Sequence, residues 1–210
     1  MKLGDRILVL APHTDDGELG CGATVARLLR EGAYVTYVAY SSAAESLPAG
    51  MPPDQLVREV REATMRLGIP EEQLIVYDYQ VRKLNYHRQD ILESMVALRE
   101  RLRPDLVFVP SRSDVHQDHG TVTAEALRAF KQLSILGYEL PWNNLSFDAD
   151  CFVAVAAEDV ALKSRALAAY ESQAGRAYMQ PDFAESLARV RGTQVGVEFA
   201  ECFEVIRLQL

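Results

Sequence analysis

Short apolar runs alternate with longer amphipathic ones through the first 130 residues of the chain. The apolar runs predict buried β-strands over residues 7–11, 34–40, 74–77 and 106–109. The amphipathic runs repeat apolar residues every three or four positions, which predicts helices over residues 18–30, 52–67, 90–102 and about 119–133. Strands that alternate with helices of this length are typical of βαβ units. We therefore expect an α/β fold, a Rossmann-like three-layer sandwich with a mainly parallel sheet.

The pattern is weaker after Gly137. It predicts an ordered loop over residues 142–147, strands over 151–156 and 197–208, and helices over 160–170 and 183–191. The sequence shows no internal repeat and no linker rich in Gly, Ser or Pro. We therefore expect one domain spanning residues 1–210.

Composition narrows the choice of partners. The chain is 49% hydrophobic and 25% charged, which is typical of a soluble globular protein. Its net charge of −8 and the absence of a Lys/Arg cluster argue against a nucleic-acid partner, because such binding relies on concentrated positive charge. No apolar stretch approaches the roughly 20 residues of a membrane span, and no signal-peptide pattern opens the sequence. A cytoplasmic protein with a small-molecule ligand is expected, and a homo-oligomer remains open.

One His and three acidic residues crowd the end of the first predicted strand. They are His13, Asp15, Asp16 and Glu18. An Asp that caps the following helix would be the simplest explanation, but a cap needs only one acid. Two adjacent carboxylates repel each other unless a cation or a proton relieves them. Because ligands bind at the carboxyl ends of strands in open α/β sheets, this segment is a candidate site.

A second cluster follows the fourth predicted strand and contains His116, Asp118 and His119. In the common doubly wound arrangement the first and fourth strands are neighbours where the strand order reverses, so both clusters should face one crevice. Two histidines and one carboxylate then form a candidate ligand set: His13, Asp16 and His119. Three protein ligands plus water is the pattern of a catalytic zinc site, and metal-bound water can attack an amide carbonyl.

The remaining residues of the two clusters suit supporting roles. Asp15 adjoins a ligand without being needed as one, so it can act as the general base. His116 can stabilise the oxyanion or protonate the leaving amine, and Asp118 can orient a histidine.

Two glycines raise an alternative. Gly20 and Gly22 superficially resemble the glycine-rich turn of nucleotide-binding folds, which would suggest a transferase with a nucleotide-type cofactor. In those folds the glycines directly follow the strand. Here seven residues intervene, so we expect both glycines inside the first helix, where they allow close packing against the sheet.

The two clusters resemble the motifs of the PIG-L/LmbE-like deacetylase family. The first motif is His-Thr-Asp-Asp at residues 13–16, and the second is His-Gln-Asp-His at residues 116–119. The resemblance covers nearly the whole chain. It extends to Tyr-Glu-Ser-Gln at residues 170–173 and to Ala-Glu-Cys-Phe at residues 200–203.

The resemblance implies zinc on His13, Asp16 and His119, with Asp15 as the base and His116 as the charge-stabilising partner. It also implies hydrolysis of an N-acetylglucosamine-type group, free or conjugated, for example to a nucleotide, with release of acetate.

Three positions depart from the family pattern. Thr14 replaces the usual Pro, Gly17 replaces the usual Glu, and Asp114 stands where some members carry a Tyr that assists the oxyanion. These departures leave a second hypothesis, in which the chain is a sugar-binding or regulatory protein that retains the metal site but does not catalyse hydrolysis.

Contacts to the substrate are harder to assign. Arg58 and Arg112 are candidates for binding hydroxyls or an anionic aglycone, as are Glu59 and Arg82. Trp142 and Asn143 are candidates for one wall of the sugar pocket, since sugars often stack on aromatic rings, and a simple hydrophobic plug is the alternative. The loop over residues 41–53 follows the second strand at the same edge of the sheet and is expected to contribute further contacts.

Overall fold

Seven strands form one mixed sheet in the computed structural model, which describes residues 3–209. The strands are β1 Arg6–Ala11, β2 Tyr34–Ala39, β3 Leu74–Val76, β4 Leu106–Pro110, β5 Ser134–Tyr138, β6 Cys151–Val155 and β7 Phe199–Arg207. Their order across the sheet is β3-β2-β1-β4-β5-β7-β6. The pairs from β3 to β5 are parallel, and β7 runs antiparallel to both of its neighbours. The predicted Rossmann-like fold with a mainly parallel sheet is confirmed.

Helices cover both faces of the sheet. They are α1 Asp16–Arg30, α2 Gln55–Leu67, α3 Arg88–Leu102, α4 Gln117–Ala129, α5 Ala157–Leu167 and α6 Pro181–Val195. Successive residues of β1 alternate between two hydrophobic cores, with Ile7 and Val9 in one and Leu8 and Leu10 in the other. The first core includes residues of α1, α2, α5 and α6, and the second includes residues of α3 and α4. Because both faces are buried, the central strands are continuously apolar rather than alternating.

The fold differs from the sequence prediction most clearly at β5. A helix was predicted to continue to residue 133, but α4 ends at Ala129 and the chain then enters a strand that the pattern did not predict. In the structure a Cβ atom at Gly137 would lie 3.0 Å from the Ser111 backbone, so the glycine permits a close approach between neighbouring segments. The other predicted elements are present with boundaries shifted by up to four residues.

The helix α1 is interrupted at Cys21. Cys21 has φ −144° and ψ 18°, which are not helical values. Beyond the interruption, buried Glu201 of β7 accepts hydrogen bonds from two backbone amides, Ala23 at 3.2 Å and Thr24 at 2.7 Å. Lys163 of α5 donates to the Leu19 carbonyl at 2.7 Å and to Glu201 at 2.7 Å. These two side chains therefore cap both segments of the broken helix.

Both glycines of the nucleotide-binding alternative lie inside α1, as expected. A Cβ atom at Gly20 would lie 2.2 Å from the ring of Tyr138, and one at Gly22 would lie 3.1 Å from the side chain of Lys163. The glycines thus permit tight packing against β5 and α5. They do not form the turn after β1, where a nucleotide phosphate would bind.

The longest helices of the described residues contain 15 residues each. None of the helices between residues 3 and 209 combines the length and the apolar composition needed to cross a membrane.

Candidate metal centre

A cavity of about 260 Å³ opens at the carboxyl ends of β1 and β4. Both polar clusters line it, since the loop after β1 and the start of α4 meet there. The candidate residues named from the sequence that line it are His13, Asp15, Asp16, Arg82, His116, His119, Trp142 and Asn143. The topology therefore brings together two segments that lie about 100 positions apart in the chain.

Three of these side chains direct donor atoms at one point. His13 Nδ1 lies 3.2 Å from Asp16 Oδ2, His119 Nε2 lies 3.3 Å from Asp16 Oδ2, and the two ring nitrogens are 3.3 Å apart. A tetrahedral zinc ion with bonds of about 2.0–2.1 Å separates its ligand atoms by about 3.3–3.4 Å. The observed triangle has these dimensions, so the donor set fits zinc without rearrangement.

His116 completes a second possible set, because ligand atoms of His13, His116 and His119 all lie within 4.8 Å of one another. His116 Nδ1, however, accepts a hydrogen bond from the Asp118 amide at 3.2 Å. That nitrogen is therefore unprotonated and already has a partner. The triangle with Asp16 is the tighter of the two sets, and His116 lies beside it.

His13 and His119 are each held by a carboxylate on the ring nitrogen that points away from the triangle. His13 Nε2 lies 2.9 Å from Asp118 Oδ2, and His119 Nδ1 lies 2.7 Å from Asp114 Oδ2. Metal-binding histidines usually have such partners, which orient the ring and set the tautomer. Asp118 also accepts the Arg82 amide at 2.6 Å, so its own position is defined.

Sequence reasoning missed Asp114 as part of the site. It was considered only as a replacement for a Tyr, although it lies two residues before His116 and five before His119. Both carboxylate oxygens are used, because Oδ1 accepts the His116 amide at 2.8 Å. The sequence signal that could have identified Asp114 was the number of acidic residues close to His116 and His119.

The electrostatics of the cluster favour a cation. Burial lowers the pKa of His13, but the charge of Asp16 and the hydrogen bond to Asp118 outweigh it and raise that pKa to about 9. The pKa of His119 is likewise raised to about 10 by Asp16 and Asp114 against the effect of burial. Burial raises the pKa of Asp16, yet the two histidines hold it far below its usual range. In the absence of metal, protons therefore supply the positive charge that the carboxylates require.

Asp15 differs from its neighbour in the contacts of its carboxylate. It occupies the N-cap position of α1 but makes no side-chain cap hydrogen bond, so the simple capping explanation fails. Burial is the main cause that raises the pKa of Asp15 to about 6, and the charge of Asp16 adds to it. The pKa of His116 is lowered by burial and by the two neighbouring histidines.

The loop after β1 is supported from beneath by two tyrosines. The hydroxyls of Tyr37 and Tyr170 lie 2.9 and 2.7 Å from the Thr14 carbonyl, and both also contact the Glu18 carboxyl group. Burial raises the pKa of Glu18 to about 8, although the tyrosine hydrogen bonds lower it in part. Glu18 is fully buried, so it supports the loop and is not among the residues that line the cavity.

The family model for GlcNAc-PI de-N-acetylase, PIG-L, matches residues 8–130, which is more than half of the chain. The chain belongs to the PIG-L family. This match includes both clusters and the four strands that position them. The chain is thus a deacetylase of this family, with clustered histidines that can hold a metal ion.

Relatives of this PIG-L chain agree with the assignment. The uncharacterized deacetylase YaiS of Escherichia coli (strain K12) is 29% identical over 172 residues, which cover 79% of this chain and 90% of that protein. The conserved protein TT1542 of Thermus thermophilus has the same fold with a TM-score of 0.82 and 27% identity, over 99% of this chain and 96% of the other. The N,N'-diacetylchitobiose deacetylase of Pyrococcus horikoshii superposes with a TM-score of 0.80 and 21% identity, over 97% and 84% of the two chains.

Two arginines considered as substrate contacts lie elsewhere in this PIG-L structure. Arg58 is exposed on α2 and forms an ion pair with Asp54 at 2.6 Å. Arg112 pairs with Glu204 of β7 at 2.5 Å. Neither arginine lines the cavity, because each is drawn to a nearby carboxylate.

Trp142, in contrast, lies in the cavity wall. Its ring stacks on Tyr178 with a centroid distance of 3.9 Å. The neighbouring Asn144 donates to Ser111 at 2.7 Å and to Ser113 at 3.1 Å, which ties the Trp142 loop to the segment after β4. Asn143, the other residue predicted for this wall, also lines the cavity. The lining further includes residues that the sequence did not single out, namely Ala43, Ser46, Gln173, Arg176 and Tyr178. Ala43 and Ser46 belong to the loop over residues 41–53 that was expected to contribute.

Proposed function

We propose that this PIG-L chain is a zinc-dependent hydrolase that removes the acetyl group from an N-acetylated amino sugar. The observation that carries the proposal is the donor triangle of His13, Asp16 and His119, with edges of 3.2–3.3 Å that fit zinc. The open side of this triangle is consistent with a catalytic site, since structural zinc sites are closed by four protein ligands. A sugar substrate is supported by the Pyrococcus horikoshii relative, which is a diacetylchitobiose deacetylase.

Bound zinc would supply a Lewis acid that polarises the amide carbonyl and lowers the pKa of water. Asp15 is suited to receive the proton of the attacking water. Its carboxylate has no capping hydrogen bond to give up, and a pKa raised to about 6 brings it nearer to the working range of a general base.

His116 is suited to donate a hydrogen bond to the acyl oxygen. The Asp118 amide donates a hydrogen bond to His116 Nδ1, so this nitrogen carries no proton. The ring proton of the neutral imidazole is therefore on Nε2. The half-buried ring lines the cavity, so this N–H is available to the negative charge that develops on the carbonyl oxygen. The same histidine can pass a proton to the leaving amine.

The stacked pair of Trp142 and Tyr178 offers an apolar surface for one face of a sugar ring. The cavity of about 260 Å³ is below the roughly 300 Å³ at which drug-sized ligand sites begin. It therefore suits one sugar residue, with any conjugated group extending towards the opening. A cytoplasmic location for this reaction stays a prediction from the sequence.

The test is an acetate-release assay over N-acetylglucosamine and its conjugates, with zinc supplied and with a chelator as control. Asp15→Asn should abolish acetate release while zinc content, measured by elemental analysis, stays near one ion per chain. His119→Ala should instead lose the zinc. Asp182→Asn, at an exposed acidic position on α6, is the matched control and should change neither.

Two results would contradict the proposal. Full activity in Asp15→Asn would remove the assigned base. Zinc-loaded protein that binds amino sugars without releasing acetate would favour the non-catalytic sugar-binding alternative. A nucleotide-dependent transferase has lost its sequence support, since Gly20 and Gly22 pack inside α1.

A further inference from the structure

Two arginines that line the cavity have no acidic ion-pair partner among the described residues. Most arginines in residues 3–209 form an ion pair with Asp or Glu. Arg82 and Arg176 both line the cavity, and neither guanidinium forms an ion pair within 4.0 Å with a carboxylate of the described residues. In a chain of net charge −8, two such guanidinium groups in one small cavity require an explanation.

Arg82 is held at the cavity by its backbone. Its φ of +65° lies in the left-handed region, which is uncommon for a residue with a side chain and is often found where function requires it. Its amide donates to Asp118 at 2.6 Å, which links the position of Arg82 to that of the carboxylate behind His13. The guanidinium donates to the Ser46 hydroxyl at 2.9 Å. A neutral hydroxyl fixes the group without neutralising its charge.

Arg176 is fixed by an aromatic residue. Its Nη1 donates to the Tyr178 hydroxyl at 2.6 Å, and its guanidinium carbon lies 5.7 Å from the centroid of the same ring. That ring stacks on Trp142, so the arginine belongs to the cavity wall proposed for the sugar. The charge of Arg176 also lowers the pKa of Asp15, but the two groups form no ion pair. As with Arg82, the hydrogen-bond partner is neutral and the guanidinium can still bind an anion.

We propose that Arg82 and Arg176 form a binding site for an anionic group, a phosphate or a carboxylate, that is covalently joined to the amino sugar. Guanidinium groups bind both kinds of anion through charge-assisted, often bidentate hydrogen bonds. The overall negative charge of the chain repels anions, so recognition depends on these two local charges. The inference rests on the proposed function and specifies its substrate class as acidic conjugates of the N-acetylated sugar.

The test compares three substrates of zinc-loaded enzyme: methyl N-acetylglucosaminide, N-acetylglucosamine 1-phosphate and a carboxymethyl glycoside of N-acetylglucosamine. The wild type should have a higher kcat/KM for at least one anionic substrate than for the neutral one, and the preferred substrate identifies the anion. Arg82→Met and Arg176→Met keep the aliphatic stem and remove the charge. Each should lower kcat/KM for that anionic substrate about 10- to 100-fold, mainly through KM, and this loss should be larger than the loss for the neutral substrate by at least about fivefold.

Arg101→Met, which removes an exposed charge from α3, is the control and should leave all three values unchanged. Equal kcat/KM values for neutral and anionic substrates, or an equal loss for both in the arginine variants, would overturn the inference while leaving the deacetylase proposal intact.

A binding measurement keeps the two proposals separable. Glucosamine 1-phosphate or the carboxymethyl glycoside of glucosamine should bind the zinc-loaded wild type more tightly than methyl glucosaminide does, and both arginine variants should remove the difference. If no substrate releases acetate, the proposed function fails. The anion site is then judged by this binding comparison alone, and equal affinities would refute it.

Discussion

The buried ion pair between Lys163 and Glu201 gives a prediction that depends only on the fold. Both side chains are 6% exposed, and their charged atoms are 2.7 Å apart. Removing one partner of a buried pair leaves the other charge uncompensated, which typically costs about 3–5 kcal/mol. Glu201→Gln leaves the ammonium group with the Leu19 carbonyl as its hydrogen-bond partner and also weakens the cap on the second segment of α1. We therefore expect Glu201→Gln to lower the free energy of unfolding by about 3–5 kcal/mol.

Lys163→Met should cost less. The Glu201 carboxylate that it leaves behind still accepts hydrogen bonds from two backbone amides at the start of a helical segment. The double variant should lose less than the two single variants together, because neither charge is then left alone.

Urea unfolding of the zinc-free protein measures these differences through the midpoint concentration at constant slope. For a chain of this size the larger loss corresponds to a decrease in Tm of about 6–20 °C. Glu198→Gln is the matched control, because Glu198 is 67% exposed and lies 3.8 Å from Arg189. It should change the free energy of unfolding by less than about 1 kcal/mol. If Glu201→Gln lost no more than this control, or if the single losses were additive, the assigned role of the pair would be refuted.

Three further predictions follow from the packing and the metal centre. Gly20→Ala should destabilise the protein by about 1–3 kcal/mol in thermal unfolding, because the added methyl meets Tyr138 at 2.2 Å. Gly120→Ala on α4 should stabilise the protein by about 0.5–1 kcal/mol, because the added methyl has no neighbouring atom within 4 Å. A stabilising Gly20→Ala together with a destabilising Gly120→Ala would contradict the observed packing. Zinc binding at pH 7 should release about two protons, because the pKa values of His13 and His119 are raised to about 9 and 10 and both rings must lose a proton before they bind the metal. For the same reason the affinity for zinc should increase as the pH rises towards 9. Calorimetry in buffers of different ionisation enthalpy measures this release, and a buffer-independent heat would count against it. Asp118→Asn should lower the affinity for zinc about 10- to 100-fold, measured by competition with a chelator. An unchanged affinity would exclude the orienting role of Asp118.

Much of the metal centre could be predicted from the amino-acid order. Apolar runs and helical periodicity identified β1 to β4 and the helices between them, because burial on both faces of a parallel sheet leaves a strong local pattern. Topological rules then placed the ends of β1 and β4 side by side, and His13, Asp16 and His119 converge there. Local patterns and general rules of connection were sufficient for this part.

The partners of individual charges depended on the tertiary structure. Arg112 pairs with Glu204, 92 positions away, whereas Arg82 and Arg176 remain without an ion-pair partner beside the cavity among the residues that the structure describes. The assignment of Asp114 to His119 and of Asp118 to His13 likewise follows from ring orientation in space. Ion pairs and hydrogen bonds act over a few ångströms, so they depend on which segments the fold brings into contact. The hydrophobic periodicity of a segment does not predict which residues from distant parts of the chain will contact it.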